Sequence, residues 1–129
     1  MRNFFTSRIL SFQFAISGWW FVVRTQRNAW IHAIASFSVI FMAAWLRLDT
    51  RDWAVLILTI STVWMAEFLN TALEAVVDLA APGHHPLAKV GKDVGAAAVL
   101  IAACSSVVIG ALIIGPPLWG RISVFLLER

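Results

Sequence analysis

The stretch WMAEFLNTALEAVVDL, residues 64–79, combines the hydrophobicity of a membrane helix with a row of acidic side chains. Residues at i, i+3, i+7 and i+11 share one face of a helix. The residues with this spacing are Glu67, Asn70, Glu74 and Asp78, and Thr71 stands beside them. Each carboxylate near the middle of a membrane helix costs about 2.5–3.5 kcal/mol on insertion scales. The row therefore indicates a site that binds cations or handles protons, and an amphipathic helix with its polar face in water is the alternative.

The composition of the whole chain places it in a membrane. It has 129 residues, enough for one domain, of which 60% are hydrophobic and 13% charged. A mean hydropathy of +0.83 lies outside the range of soluble domains. Seven Trp and nine Phe without Tyr are typical of a bilayer protein with indole rings at its interfaces. Because the basic residues behind the net charge of +3 are scattered, we expect no nucleic-acid partner.

The hydrophobic pattern predicts an all-α membrane protein with one surface helix and three spans. Apolar residues recur at steps of three and four over about residues 4–23, which indicates an amphipathic helix on the membrane surface. A polar break over 24–28 follows, and the spans are expected over about 29–46, 53–81 and 94–118. No domain boundary is visible within 1–129, so we expect one domain.

Proline and glycine mark where two of these spans should end. The segment Pro82-Gly83-His84-His85-Pro86 ends the second span, and the pair Pro116-Pro117 closes the third. The residues from Arg121 to Arg129 would then form a short tail.

The distribution of basic residues predicts the orientation. The side that carries the N-terminal segment and the loop before the third span holds Arg2, Arg8, Arg24, Arg27, Lys89 and Lys92, and the other side holds Arg47, Arg51, Arg121 and Arg129. The positive-inside rule places the first group in the cytoplasm. Glu74 and Asp78 then approach the cytoplasm, and Glu67 lies roughly 10–16 Å deeper at 1.5 Å per residue.

The polar residues near this boundary fit phosphoryl transfer from a nucleotide to a lipid hydroxyl. Carboxylate and amide oxygens suit Mg²⁺, which bridges carboxylates and phosphates. A lysine suits phosphate, and a deeper carboxylate could take a proton from an alcohol. However, the chain has no Gly-rich phosphate loop. A subunit of an ion- or proton-coupled transporter explains the buried carboxylates equally well, so the residues by themselves leave both open.

A longer motif resembles the signature of the small bacterial membrane lipid kinases, the diacylglycerol kinase / undecaprenol kinase family. The pattern E-x-x-N-[ST]-A-x-E-x-x-x-D starts at Glu67, and A-K-x-x-K-D-x-x-x-A-A-V-L starts at Ala88. The resemblance covers nearly the whole chain. It implies ATP-dependent phosphorylation of a membrane lipid alcohol with Mg²⁺, in homotrimers that share active sites between chains in the bacterial inner membrane. The stretches Gln26-Arg27-Asn28 and Gly115-Pro116-Pro117 are more similar to the undecaprenol branch than to the diacylglycerol branch.

The resemblance also implies roles for single residues. Glu67 would be the general base for the lipid hydroxyl, and Asn70 would orient the reacting groups. Glu74 would hold Mg²⁺ against the ATP phosphates, with Lys92 on phosphate and Asp93 toward the nucleoside. The remaining two positions, on the cytoplasmic rim near ATP, are Asp78 and His85. A helix-end role for Asp78 and a plain loop role for His85 are the alternatives.

One position departs from the family pattern. Better-known members have a glutamate before the first span that joins the second-span glutamate in holding metal, and here that position is Gln26. Its carbonyl oxygen can ligate a cation and contact the nucleotide but brings no charge, which puts the number of Mg²⁺ ions in doubt. His32 could have a functional role or simply lie at the membrane interface. A non-catalytic ion-binding or scaffolding module is the alternative to a kinase.

Overall fold

The computed structural model describes the backbone of residues 4–127 and the side chains of residues 8–127. This part of the chain is helical throughout, apart from short connections, which confirms the predicted all-α class. The helices are α1 (Phe4–Thr25), α2 (Arg27–Leu46), α3 (Thr50–Ala80) and α4 (Pro86–Leu127). By length and composition, α2, α3 and α4 can each cross a membrane. The location of α1 on the membrane surface stays a prediction.

The connection between α1 and α2 is a single residue, shorter than the predicted break over 24–28. Gln26 has an extended backbone, with φ −97° and ψ 118°, and its N–H donates to the Val22 carbonyl at 2.9 Å. Polar residues alone do not stop a helix, and no proline or glycine lies between 24 and 28. The corner between the two helices therefore falls on Gln26.

The connection between α2 and α3 is closed at both ends by local hydrogen bonds. Arg47 has the left-handed backbone, with φ 55°, and its N–H donates to Ala44 while that of Leu48 donates to Ala43. Asp49 caps α3, because its Oδ1 accepts the N–H groups of Arg51 and Asp52 at 2.8 and 2.9 Å. The short turn makes α2 and α3 antiparallel neighbours.

Helix α4 is much longer than the predicted span over 94–118. It begins at Pro86, where a proline suits the first helical position. An ion pair between Lys89 and Asp93, one turn apart, stabilises its first turns. The part of the predicted loop from Pro86 to Asp93 is therefore helical.

The prolines Pro116-Pro117 do not end the helix, because α4 continues to Leu127. That the membrane span itself ends near residue 118 stays a prediction. Prolines inside membrane helices are tolerated where neighbouring groups compensate for the lost hydrogen bonds. Here Arg121 donates to the Trp45 carbonyl at 2.7 Å and lies 4.8 Å from the centre of the Trp45 ring. This contact holds the segment after the prolines against the end of α2. The last two residues of the predicted tail lie outside the described residues.

The packing leaves a small interior that is partly polar. The most extensive contact joins α3 to α4, with α2 against both and α1 against α2 and α3. Large apolar side chains on every described helix are exposed, as expected for surfaces that face lipid or another chain. The buried residues with apolar side chains are Val22, Ala29, Ala43, Leu56, Val63 and Val99. Beside them lie three buried polar residues of α3, which mark the candidate site.

Candidate active site

The part of the polar face of α3 from Glu67 to Thr71 is buried in the protein, whereas Glu74 is half-buried and Asp78 is exposed. Glu67 is 1% exposed, Thr71 5% and Asn70 9%. Thr71 donates its hydroxyl to the Glu67 carbonyl at 2.9 Å, so its polar group is satisfied within the helix. The structure therefore does not support an amphipathic helix with this face in water. A carboxylate buried this deeply needs a partner or a function.

The Glu67 carboxylate faces a histidine of α2. His32 Nε2 lies 3.7 Å from Glu67 Oε2, and neither atom has a hydrogen-bond partner among the described residues. The His32 ring also meets the Trp64 ring edge-on, with centroids 6.4 Å apart. His32 is thus brought to the predicted base, and its Nε2 atom is buried inside the protein.

Asn70 joins the next carboxylate of the row to α4. Its Nδ2 donates to Glu74 Oε1 at 2.9 Å. Its Oδ1 lies against Gly95, where a Cβ would come within 2.3 Å of that oxygen. Only glycine leaves room for Asn70 at this crossing of α3 and α4. The glycine at position 95 therefore makes room for the Asn70 side chain in the site.

A cavity of about 270 Å³ brings together three of the predicted site residues, Gln26, Asn70 and Glu74. The residues that line it are Gln26, Asn28, Ile31, His32, Asn70, Glu74, Ala96, Val99, Leu100 and Ala103. Three separate helices contribute, since the Gln26 corner closes one side and α3 and α4 close the others. The structure therefore places Gln26, Asn70 and Glu74 around one space, with His32 between that space and Glu67.

The donors around this cavity fit a magnesium ion held partly by phosphates. Glu74 offers a carboxylate oxygen and Gln26 an amide oxygen, and hard oxygen ligands are those that Mg²⁺ prefers. Mg²⁺ is commonly bound by only one or two carboxylates, with water and substrate phosphates completing the shell. Among the described residues no group of three His, Cys, Asp or Glu side chains could hold a metal. The described residues of one chain would therefore supply few of the ligands, Glu74 and Gln26.

A second cavity, of about 230 Å³, lies where α3 passes into α4. It is lined by Asp78, Ala81, Gly83, His84, His85, Ala88, Lys89, Lys92 and Asp93. Lys92 forms an ion pair with Asp78, and Lys89 forms one with Asp93. His85 Nδ1 accepts the Leu87 N–H at 3.2 Å, which also gives it a place at the start of α4. Four of the six residues predicted to contact the nucleotide, Asp78, His85, Lys92 and Asp93, are thus together, while Gln26 and Glu74 line the first cavity.

Comparison with known proteins agrees with this geometry. The family described as prokaryotic diacylglycerol kinase matches the chain over residues 13–114, a range that contains both cavities. The chain belongs to this family. It is 44% identical over 111 residues to a diacylglycerol kinase of Synechocystis sp., and this alignment covers 85% of the chain and 63% of that relative. The chain therefore spans less than two thirds of the Synechocystis protein.

Two further relatives in the prokaryotic diacylglycerol kinase family differ in the substrate that their names state. An undecaprenol kinase of Bacillus subtilis is 40% identical over 117 residues, which cover 91% of the chain and 95% of that protein. A diacylglycerol kinase of Escherichia coli is 37% identical over 89 residues, 64% of the chain and 73% of the relative. The chain is therefore of a lipid-kinase type, and both lipid alcohols occur among its relatives.

The sequence did not predict a hydrogen-bonded bridge that joins α3 to α2 close to Glu67 and His32. Trp64 Nε1 donates to Ser36 Oγ at 3.2 Å, and Ser36 Oγ donates to the His32 carbonyl at 2.6 Å. The Trp19 ring of α1 lies 6.3 Å from that of Trp64. Helical spacing offered a signal, because Trp64 lies three residues before Glu67 and Ser36 four after His32.

Proposed function

We propose that the protein transfers the γ-phosphate of ATP to the hydroxyl of a membrane lipid alcohol, with Glu67 as the general base. The observation that carries this proposal is the buried Glu67 carboxylate one helical turn from the Asn70–Glu74 pair. A carboxylate at this depth can meet a hydroxyl at the lipid head groups. The row of side chains on α3 then leads from the lipid toward the nucleotide.

The proposed step moves one proton and one phosphoryl group. A Glu67 oxygen accepts the hydroxyl proton as the alcohol oxygen forms a bond with the γ-phosphorus. The bond between the γ-phosphorus and its bridging oxygen breaks, and ADP leaves with that electron pair. The proton remains on Glu67 until it passes to solvent. Asn70 supports the step by fixing Glu74 through its 2.9 Å hydrogen bond.

The residues of the two cavities would bind Mg-ATP. Glu74 and Gln26 would hold Mg²⁺, which when bound neutralises charge on the phosphates. Lys92 would exchange Asp78 for a phosphate, because its ammonium group is partly exposed and can turn. Asp93 would face the nucleoside, and His85 would contact ATP from the rim. Asp78 would remain at the same rim once Lys92 has turned.

We propose undecaprenol as the preferred lipid over diacylglycerol. The support comes from the stretches at 26–28 and 115–117 and from the alignment with the Bacillus subtilis undecaprenol kinase over 95% of its length. The 44% identity to a protein named diacylglycerol kinase supports diacylglycerol as the substrate instead. Both are alcohols presented at the membrane surface, so the same chemistry serves either one.

We further propose that residues 1–129 form one domain that assembles as a homotrimer in the bacterial inner membrane. Support comes from the exposed apolar surface and from the small number of ligands that one chain brings to the metal site. A neighbouring chain could cover the first and complete the second, so the active sites would be shared. The N-terminus and the nucleotide site would face the cytoplasm, where ATP is available.

The test is transfer of labelled γ-phosphate from Mg-ATP in detergent micelles, with undecaprenol and diacylglycerol offered separately. We expect wild type to label undecaprenol faster, and Glu67→Gln to lose at least about 100-fold in rate, the usual contribution of a general base. Its oligomer, measured by native mass spectrometry, should persist. Asp52→Asn makes a related acid-to-amide change at the other end of α3 and should keep the wild-type rate. Wild-type protein that labels neither lipid would contradict the proposal.

A further inference from the structure

The strongest unexplained feature of the molecule is a pair of buried atoms that face each other without a bond. His32 Nε2 and Glu67 Oε2 lie 3.7 Å apart, on side chains that are 12% and 1% exposed. Neither atom has a hydrogen-bond partner among the described residues. Leaving a buried polar atom unpaired costs about 1–3 kcal/mol. Two such atoms side by side therefore point to a hydrogen bond between them that forms when substrate is bound.

The position of His32 is fixed from both helices that meet here. Its carbonyl accepts a hydrogen bond from Ser36, and Ser36 in turn accepts one from Trp64 of α3. The Trp64 ring also meets the imidazole edge-on. Since Trp64 is one turn before Glu67 on the same helix, the bridge ties the imidazole and the carboxylate to one frame. The bridge therefore fixes the backbone at His32 relative to α3, and the Trp64 ring borders the imidazole on one side.

His32 also separates two spaces. It lines the cavity with Gln26 and Glu74, and it lines an inner cavity of about 60 Å³ between α2, α3 and α4. No other described residue lines both. The imidazole therefore stands on one side of Glu67 and limits the directions from which water can reach the carboxylate.

We propose that His32 is the positioning residue of the general base. With its hydrogen on Nε2, the imidazole donates to Glu67 Oε2 and leaves Oε1 to accept the proton of the lipid hydroxyl. The 3.7 Å separation exceeds the length of a formed N–H···O bond, about 2.7–3.2 Å, and catalytic hydrogen bonds often tighten only with substrate bound. The proton of the alcohol goes to Glu67 and not to His32. This inference rests on the proposed kinase function.

The test compares two substitutions that separate the hydrogen bond from the space that the ring fills. His32→Phe keeps a flat ring but removes the donor, and His32→Gln keeps an N–H donor on a shorter, flexible chain. We expect His32→Phe to lower kcat by about 10–100-fold, the effect of a misplaced catalytic group, with KM for ATP unchanged. His32→Gln should retain more of the rate. Ser38→Ala, an exposed position on α2 bonded within its own helix, should match wild type.

A third variant tests the ring nitrogen directly. His32→Ala opens space beside the inner cavity, so added imidazole should restore part of kcat in His32→Ala and none in Glu67→Gln. Wild-type kcat in His32→Phe, a rise in KM for ATP with unchanged kcat, or equal loss in His32→Phe and His32→Gln without rescue by imidazole would each overturn the proposal. If wild type itself transfers no phosphate, the kinase function fails first. A wild type that works beside a fully active His32→Phe rejects only the positioning role.

Discussion

Gly95 is the residue whose absent side chain matters most to the candidate site. A Cβ at this position would lie 2.3 Å from Asn70 Oδ1 and 3.2 Å from a Leu73 methyl carbon. Asn70 could escape only by turning away, and its hydrogen bond to Glu74 would then break. The substitution Gly95→Ala thus disturbs the Glu74 carboxylate, the proposed metal ligand, through its neighbour Asn70.

We therefore expect Gly95→Ala to lower the rate of phosphate transfer by about 10-fold or more, because small displacements of catalytic groups are costly. Initial rates in micelles at saturating lipid measure this. Gly120→Ala is the matched control, since an added Cβ there meets nothing within 4 Å. Equal rates for Gly95→Ala and wild type would show that Asn70 is not needed in its present orientation.

Residue-scale prediction from the sequence succeeded where one helix carried the information. The spacing of Glu67, Asn70 and Glu74 placed them on one face, and in the structure Glu67 and Asn70 are buried and Asn70 is bonded to Glu74. The partners of these residues came from other helices: His32 from α2 and Gly95 from α4. Which residues meet across helices depends on how the helices are aligned relative to each other, and the periodicity within one helix does not predict that alignment.

At the scale of elements, the sequence predicted where the second helix ends better than where it begins. Helix α3 ends just before Pro82-Gly83, as expected, but Asp49 caps it and it begins at Thr50, before the expected start at about residue 53. The prolines at 116 and 117 do not end α4, and a contact with another helix lies just beyond them. Arg121 reaches Trp45 on another helix, 76 residues away in sequence. No pattern within α4 could have indicated that partner.

Removal of the Arg121 contact should loosen the last turns of α4. In Arg121→Ala both the hydrogen bond to the Trp45 carbonyl and the stacking on its ring are lost. We expect a loss of about 1 kcal/mol in the free energy of unfolding, at the low end because the pair is exposed. Amide hydrogen exchange should also rise over residues 118–127. Arg51→Ala, at the same end of the bundle, serves as the control, and identical exchange in both variants would contradict this role.

For the molecule as a whole, the length and hydrophobicity of the helices determine how they can be placed in a bilayer. Helix α4 has 42 residues, about 63 Å at 1.5 Å per residue, while a bilayer core is about 30 Å thick. A single crossing would therefore place its first turns, with Lys89 and Lys92, and its last turns, with Arg121, outside the hydrocarbon core. The cavity lined by Asp78, Lys92 and Asp93, the rim cavity, is at the first of these ends. We expect the two ends of α4 to face opposite sides of the membrane.

The orientation of these ends can be tested with a charged maleimide that does not cross membranes. In a background with Cys104 replaced by alanine, we place a cysteine by His84→Cys or Thr50→Cys, at exposed positions on opposite ends of α3. Because the Lys89 and Lys92 end should face the cytoplasm, we expect labelling of Thr50→Cys in intact spheroplasts and of His84→Cys only in inverted vesicles. The reverse pattern would place the rim cavity away from cellular ATP, and the proposed kinase function would fail together with the orientation.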